Sequence, residues 1–125
     1  MIKKVKRLVM EGEVNPNGYM FDIDTLNKAI DEYIENSGIL YIDIKSLDFI
    51  QNHTKEYFNS SFEEIGYIKS YDKEFFYVKI TNKKYKKIVE DMVINIHAFT
   101  KDLEEREECN LVTIDFIARI VVGKY

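Results

Sequence analysis

The residues that could do chemistry are few: two histidines, one cysteine, some hydroxyls and a run of lysines. His53 lies in a polar stretch, Gln51 to Ser61, that also carries Ser60 and Ser61. His97 lies in the apolar run Val93 to Phe99, just before Thr100. Neither histidine has the i, i+4 partner of a metal-binding helix, and a two-histidine site would need carboxylates to complete it. There is no paired-cysteine spacing, Gly-rich phosphate loop or Gly-x-Ser-x-Gly elbow. No metal and no cofactor is expected. Cys109 follows Glu107 and Glu108, whose charge disfavours a thiolate, so it reads as a small buried residue and not as a nucleophile. An active hydrolase would have to use Ser60, Ser61 or Thr100. Lys83, Lys84, Lys86 and Lys87, interleaved with Tyr85, have the chemistry of phosphate contacts, although a wet helix face is the plainer reading. The run Lys101 to Glu108 lacks calcium-loop spacing and reads as a solvated acidic connector.

These residues must be positioned by the elements around them. Phe62 to Ser70 and Phe75 to Ile80 alternate aromatic and β-branched residues about the polar reversal Tyr71-Asp72-Lys73-Glu74, the pattern of a hairpin. Ile65 and Tyr67 fall on one face, and Gly66 and Ile68 on the other. Phe76, Val78 and Ile80 share a face of the return strand. A helix is predicted over residues 82–92, capped by Thr81 or Asn82, with Tyr85, Ile88, Val89 and Met92 inward. A strand follows from Val93 to Phe99. Towards the N-terminus, a first strand is predicted over 6–14, and Asn15-Pro16-Asn17-Gly18 is a turn. The clearest helix has Asp22 or Asp24 as cap, the stripe Ile23, Leu26, Ala29, Ile30, Tyr33 and Ile34, and Gly38 as the left-handed stop. Ile39 to Ile44 is a short buried strand. The stretch 45–61 reads as a surface loop. The chain closes with a strand, Leu111 to Val122, whose alternation puts Val112, Ile114, Phe116, Ala118, Ile120 and Val122 on one face.

The 125 residues are one domain's worth, and 46% hydrophobic content is enough for an independent core. The prediction is a single α+β domain over 1–125: a mostly antiparallel curled sheet or small barrel of five to six strands, with two helices. A net charge of −4 with 32% charged residues gives no global pull toward nucleic acid. The basic start (Lys3, Lys4, Lys6, Arg7) precedes too short an apolar run for a signal peptide, and no run approaches a membrane span. One cysteine fits a reducing compartment, so an intracellular, cytoplasmic protein is expected and the Asn-x-Ser/Thr triplets at Asn52 and Asn59 carry no weight.

One order of elements resembles a known family. It runs from His53 in a polar loop, through Ile65-Gly66-Tyr67-Ile68 opening a strand, a turn and a second strand, to a helix over 82–92. It ends with Ile94-Asn95-Ile96-His97-Ala98-Phe99 and Leu111-Val112-Thr113-Ile114-Asp115-Phe116-Ile117. This is similar to the tailed-phage prohead proteases, capsid-maturation enzymes related in fold to herpesvirus assemblin. The resemblance implies that His53 matches the catalytic base, Asp115 the acidic orienting group, and Asn95 the serine. Asparagine supplies no attacking oxyanion, so the serine–histidine mechanism would lack its nucleophile. The resemblance implies a phage-derived, non-catalytic domain, in the host cytoplasm or associated with the virion, that acts through protein partners, phage structural proteins among them. The residue-level alternatives are an unrelated binding module touching nucleic acid through its lysines, and an active hydrolase. On the plainer reading Asp115 is a solvent-facing residue paired with Arg119 or Lys79. The apolar last strand also predicts self-association if it lies at a sheet edge.

Overall fold

The computed structural model describes residues 1–15, 18–44 and 62–124, the side chain of Ile88 excepted. The predicted loop 45–61 and the Pro16-Asn17 turn centre therefore lie outside the described residues. Seven strands are described: β1 (Lys3–Arg7), β2 (Tyr19–Phe21), β3 (Ile39–Asp43), β4 (Phe62–Tyr71), β5 (Phe75–Ile80), β6 (Val93–Glu105) and β7 (Asn110–Gly123). One α-helix, α1 (Ile23–Asn36), joins β2 to β3. The strand order is β2-β7-β3-β4-β5-β1-β6, and β6 pairs back onto β7, so the hydrogen bonding runs in a ring.

The α+β class is as expected, and the long pairings β1–β5, β3–β4, β4–β5 and β6–β7 are antiparallel, but the sheet is mixed and has more strands than the five or six predicted. Both β2 and β3 run parallel to β7, at its two ends, and β1 runs parallel to β6. The cause is α1, which acts as a crossover and returns the chain in the same direction along β7. The Asp22 side chain accepts from the Thr25 N–H at 3.0 Å, and Gly38, at φ 63°, donates back to the Tyr33 carbonyl. Leu26, Ala29, Ile30 and Tyr33 are buried, while Ile23 at the helix start is exposed. Thr25 Oγ accepts from the Ile114 N–H at 3.0 Å, which fastens the helix to β7.

The β4–β5 hairpin forms where predicted, but Ile65 and Ile68, expected on opposite faces, are both buried, because the β3–β4 register skips Ile65. Phe76, Val78 and Ile80 are buried in the core with Ile65 and Ile68. Asp72 organises the reversal: Oδ1 accepts from the N–H groups of Glu74 and Phe75, and Oδ2 from the Tyr77 hydroxyl. Gly66 is fixed by packing, because a Cβ there would stand 2.0 Å from the Lys79 carbonyl oxygen.

Three expectations are corrected. The first strand is Lys3–Arg7, not 6–14, because its partners Val78 to Phe75 on β5 take up the residues from Lys3 onward. The predicted second helix is two 3-10 turns, Lys83–Tyr85 and Ile88–Asp91. So short a segment is marginal as an α-helix, and Lys83, Lys84, Lys86 and Lys87 would stand at repelling i, i+3 and i, i+4 positions. Two turns still bury Tyr85, Val89 and Met92. The first part of the acidic connector, Lys101 to Glu105, is the distal end of β6, with Asp102 to Glu105 paired to Thr113 to Asn110 of β7.

The last strand is there, but its two faces are not the predicted ones. The β6–β7 register skips Ala118, Asp115 and Lys101 in turn. Each extra residue in a bulge reverses the inward–outward alternation. Val112 and Ile114 point inward, the skipped Asp115 moves the inward position to Ile117, and the skipped Ala118 moves it to Ile120 and Val122. Phe116 and Ala118, predicted inside, are exposed.

Candidate functional site

The three positions carried over from the protease resemblance do not form a described triad. His53 lies outside the described residues, as do Ser60 and Ser61. Asn95 is half-buried on β6 opposite Val121. Asp115 is exposed at a β7 bulge, six residues from Val121 along the strand, up to roughly 20 Å away. The structure therefore does not bring Asn95 and Asp115 together. Asp115 has no ion-pair partner among the described residues; Arg119 instead lies 4.2 Å over the Phe62 ring. Thr100 is exposed on β6, and Cys109 is half-buried in the β6–β7 turn. Asn95 lines a cavity of about 20 Å³ with Arg7, Phe21 and Ile96, room for a single water. Arg7 is a buried cation there: Nη1 donates to the Asp72 carbonyl at 2.9 Å, and Nε has no partner among the described residues.

A different group does gather. Alternation along β3, β4, β6 and β7 places Asp43, Phe62, His97 and Arg119 on one side of the sheet, with Asp43 beside Phe62 and His97 beside Arg119 in register. The Phe62 ring meets the His97 ring edge-on at 5.7 Å. Burial, and then the Arg119 guanidinium, hold the imidazole below its ordinary pKa, with Asp43 acting in the opposite sense. His97 is thus kept as a neutral imidazole beside a cation and an aromatic face, able to accept one hydrogen bond and donate another. Among the described residues no cluster of three or more His, Cys, Asp or Glu side chains could hold a metal. Sequence reasoning noted His97 but missed the group, because its members come from four strands. The available signal was parity: Asn95, His97 and Phe99 alternate with the buried Ile94.

Two surfaces of opposite charge complete the picture. Lys83, Lys84, Lys86 and Lys87 are all exposed, but only Lys86 and Lys87 converge, lining a cavity of about 190 Å³ with Lys3, Lys79 and Ile80. Lys3 Nζ also donates to Glu90 at 2.8 Å, and that contact holds the Glu90 carboxyl below its usual range. Lys84 instead sits 5.2 Å over the Tyr85 ring. At the far end of β6, every residue from Phe99 to Glu108 is exposed. There Phe99 stacks on Phe116 at 4.6 Å, both about half exposed, and Leu103 is 50% exposed opposite Val112.

Comparison with family models, curated proteins and solved structures finds no significant match. Among the described residues, no helix is long and apolar enough to cross a membrane.

Proposed function

We propose that this domain is a non-catalytic protein-interaction module, and that the prohead-protease resemblance sets it in phage head assembly. The observation that carries the reading is the exposed β6–β7 arm with its stacked Phe99 and Phe116. Apolar area of this kind, kept in water on a rigid two-stranded element, is the usual mark of a docking surface. The separation of Asn95 from Asp115, and an amide where the family has a hydroxyl, support the non-catalytic part. The test uses purified protein with tailed-phage capsid and scaffold proteins. Binding without cleavage is expected, and binding is lost in a Phe99→Ser, Phe116→Ser variant. Cleavage abolished by His53→Ala, or labelling by a serine-reactive phosphonate at Ser60, Ser61 or Thr100, would establish the hydrolase alternative instead.

The lysine-lined cavity favours a second reading, in which the basic surface contacts nucleic acid. Lysine contacts to phosphate release counterions, so affinity for a DNA or RNA duplex would fall steeply with salt. Binding that is absent or indifferent to salt removes this reading.

A further inference from the structure

We infer that the acidic end of the β6–β7 arm, beyond the Phe99–Phe116 pair, docks into the lysine-lined cavity of a second copy of this chain. The inference rests on the interaction-module reading and adds a self-contact to it. Residues 101–108 hold five acidic and two basic side chains, a formal charge of −3, and all are exposed. The cavity is lined by Lys3, Lys79, Lys86 and Lys87, with the exposed, apolar Met1 as a match for Leu103. Of the four lysines, Lys3 is also ion-paired to Glu90 at 2.8 Å. The two surfaces are complementary in charge and each carries an apolar element, the combination that steers and then holds a protein contact.

The two surfaces of one chain cannot meet each other. Lys6 of β1 stands beside Val93 at the start of β6, and the strands run parallel, so Lys3 lies further still from the arm. The acidic end begins at the other end of β6, whose 13 residues span roughly 40 Å. A neighbour must supply the second surface. The contact is head-to-tail, joining different patches on the two copies, and it builds a ring or a filament according to the rotation between them.

Light scattering on the full chain tests this. At about 50 mM salt the wild type is expected to exceed the mass of one chain, and at about 500 mM to fall back to it, as screening removes the attraction. Lys86→Glu, Lys87→Glu breaks one surface and Glu107→Lys, Glu108→Lys the other. Each variant alone should remain a single chain at low salt. Mixing the two should restore association, since each supplies the surface the other lacks. All four positions are exposed, and an unchanged cooperative unfolding transition confirms that each variant is folded. A wild type of single-chain mass at high concentration and low salt overturns the inference, as does a mixture that stays apart while the wild type associates. Neither outcome touches the module reading, which stands or falls on binding to phage structural proteins.

Discussion

Among the described residues, the antiparallel hairpins β4–β5 and β6–β7 use their strands in opposite ways. In β4–β5, Phe76, Val78, Ile65 and Ile68 are buried, and Asp72 satisfies the turn with three hydrogen bonds. In β6–β7, the near half is core but the far half carries its aromatic pair in water, and the register is broken at three places. The β4–β5 register is broken once, at Lys69, and the return strand keeps a regular buried face of Phe76, Val78 and Ile80. Bulges instead let a strand bury one segment and present the next. The first hairpin is built for stability and the second for contact.

Substitutions can break that contrast. The largest effect is expected at Gly66→Ala, where the new Cβ would meet backbone 2.0 Å away and force β4 from β5. A loss of about 4 kcal/mol is expected in urea unfolding. A loss under 1 kcal/mol would mean the hairpin relaxes easily and is not the rigid partner. A matched pair follows. Phe76→Ala, from a fully buried site, should cost about 3–4 kcal/mol through the cavity it leaves. Phe116→Ala, from an exposed stacked pair, should cost under about 1 kcal/mol. Similar losses at both would show that the arm is part of the core, and would remove the reason to read it as a docking surface.

The same contrast explains what was legible in the sequence. The α1 stripe from Leu26 to Tyr33, the Asp22 and Gly38 caps and the buried face of β5 were readable because local pattern and tertiary burial agree there, whereas the faces of β4 were not, since Ile65 is skipped in the β3–β4 register. The faces of β7 were not, since a bulge at Asp115 or Ala118 leaves no mark in a list of alternating residues. The 3-10 turns at 83–91 were missed because the spacing of Tyr85, Val89 and Met92 suits a helix and only the lysine crowding argues against it. The group of Asp43, Phe62, His97 and Arg119 depends on register across four strands, information that no single segment carries. Asn95 and Asp115 were placed on the right strands, but their separation follows from where β6 and β7 pair.

A smaller effect sharpens the turn's part in the contrast. Asp72 is held below its ordinary 3.8 by the Tyr77 hydroxyl and by the N–H groups of Glu74 and Phe75. A depressed folded-state pKa means stabilisation present above pH 3.8 and lost as pH falls through the lower folded value. Asp72→Asn should therefore unfold with less dependence on pH below that point than the wild type. Identical acid profiles would show that the turn does not draw on the carboxylate charge.

The smallest effect is expected at His97, on the opposing hairpin near the point where β6 turns from core to surface. Its pKa is lowered by burial and then by Arg119. In the folded protein it stays neutral in a range where the unfolded chain, near the ordinary 6.5, already takes up a proton. Its contribution is complete above that value and declines as pH falls through the folded pKa, a higher window than that of Asp72. Arg119→Gln removes the neighbouring cation, so an NMR titration should show the His97 midpoint move upward, toward the ordinary value. Burial remains in that variant, so the recovery should be partial. A full return would make Arg119 the dominant cause, and no movement would mean that the guanidinium over Phe62 is too well solvated for His97 to sense. In that second case the Asp43, Phe62, His97 and Arg119 group is only a packed patch, and the exposed arm is left as the feature of β6–β7 that reaches a partner.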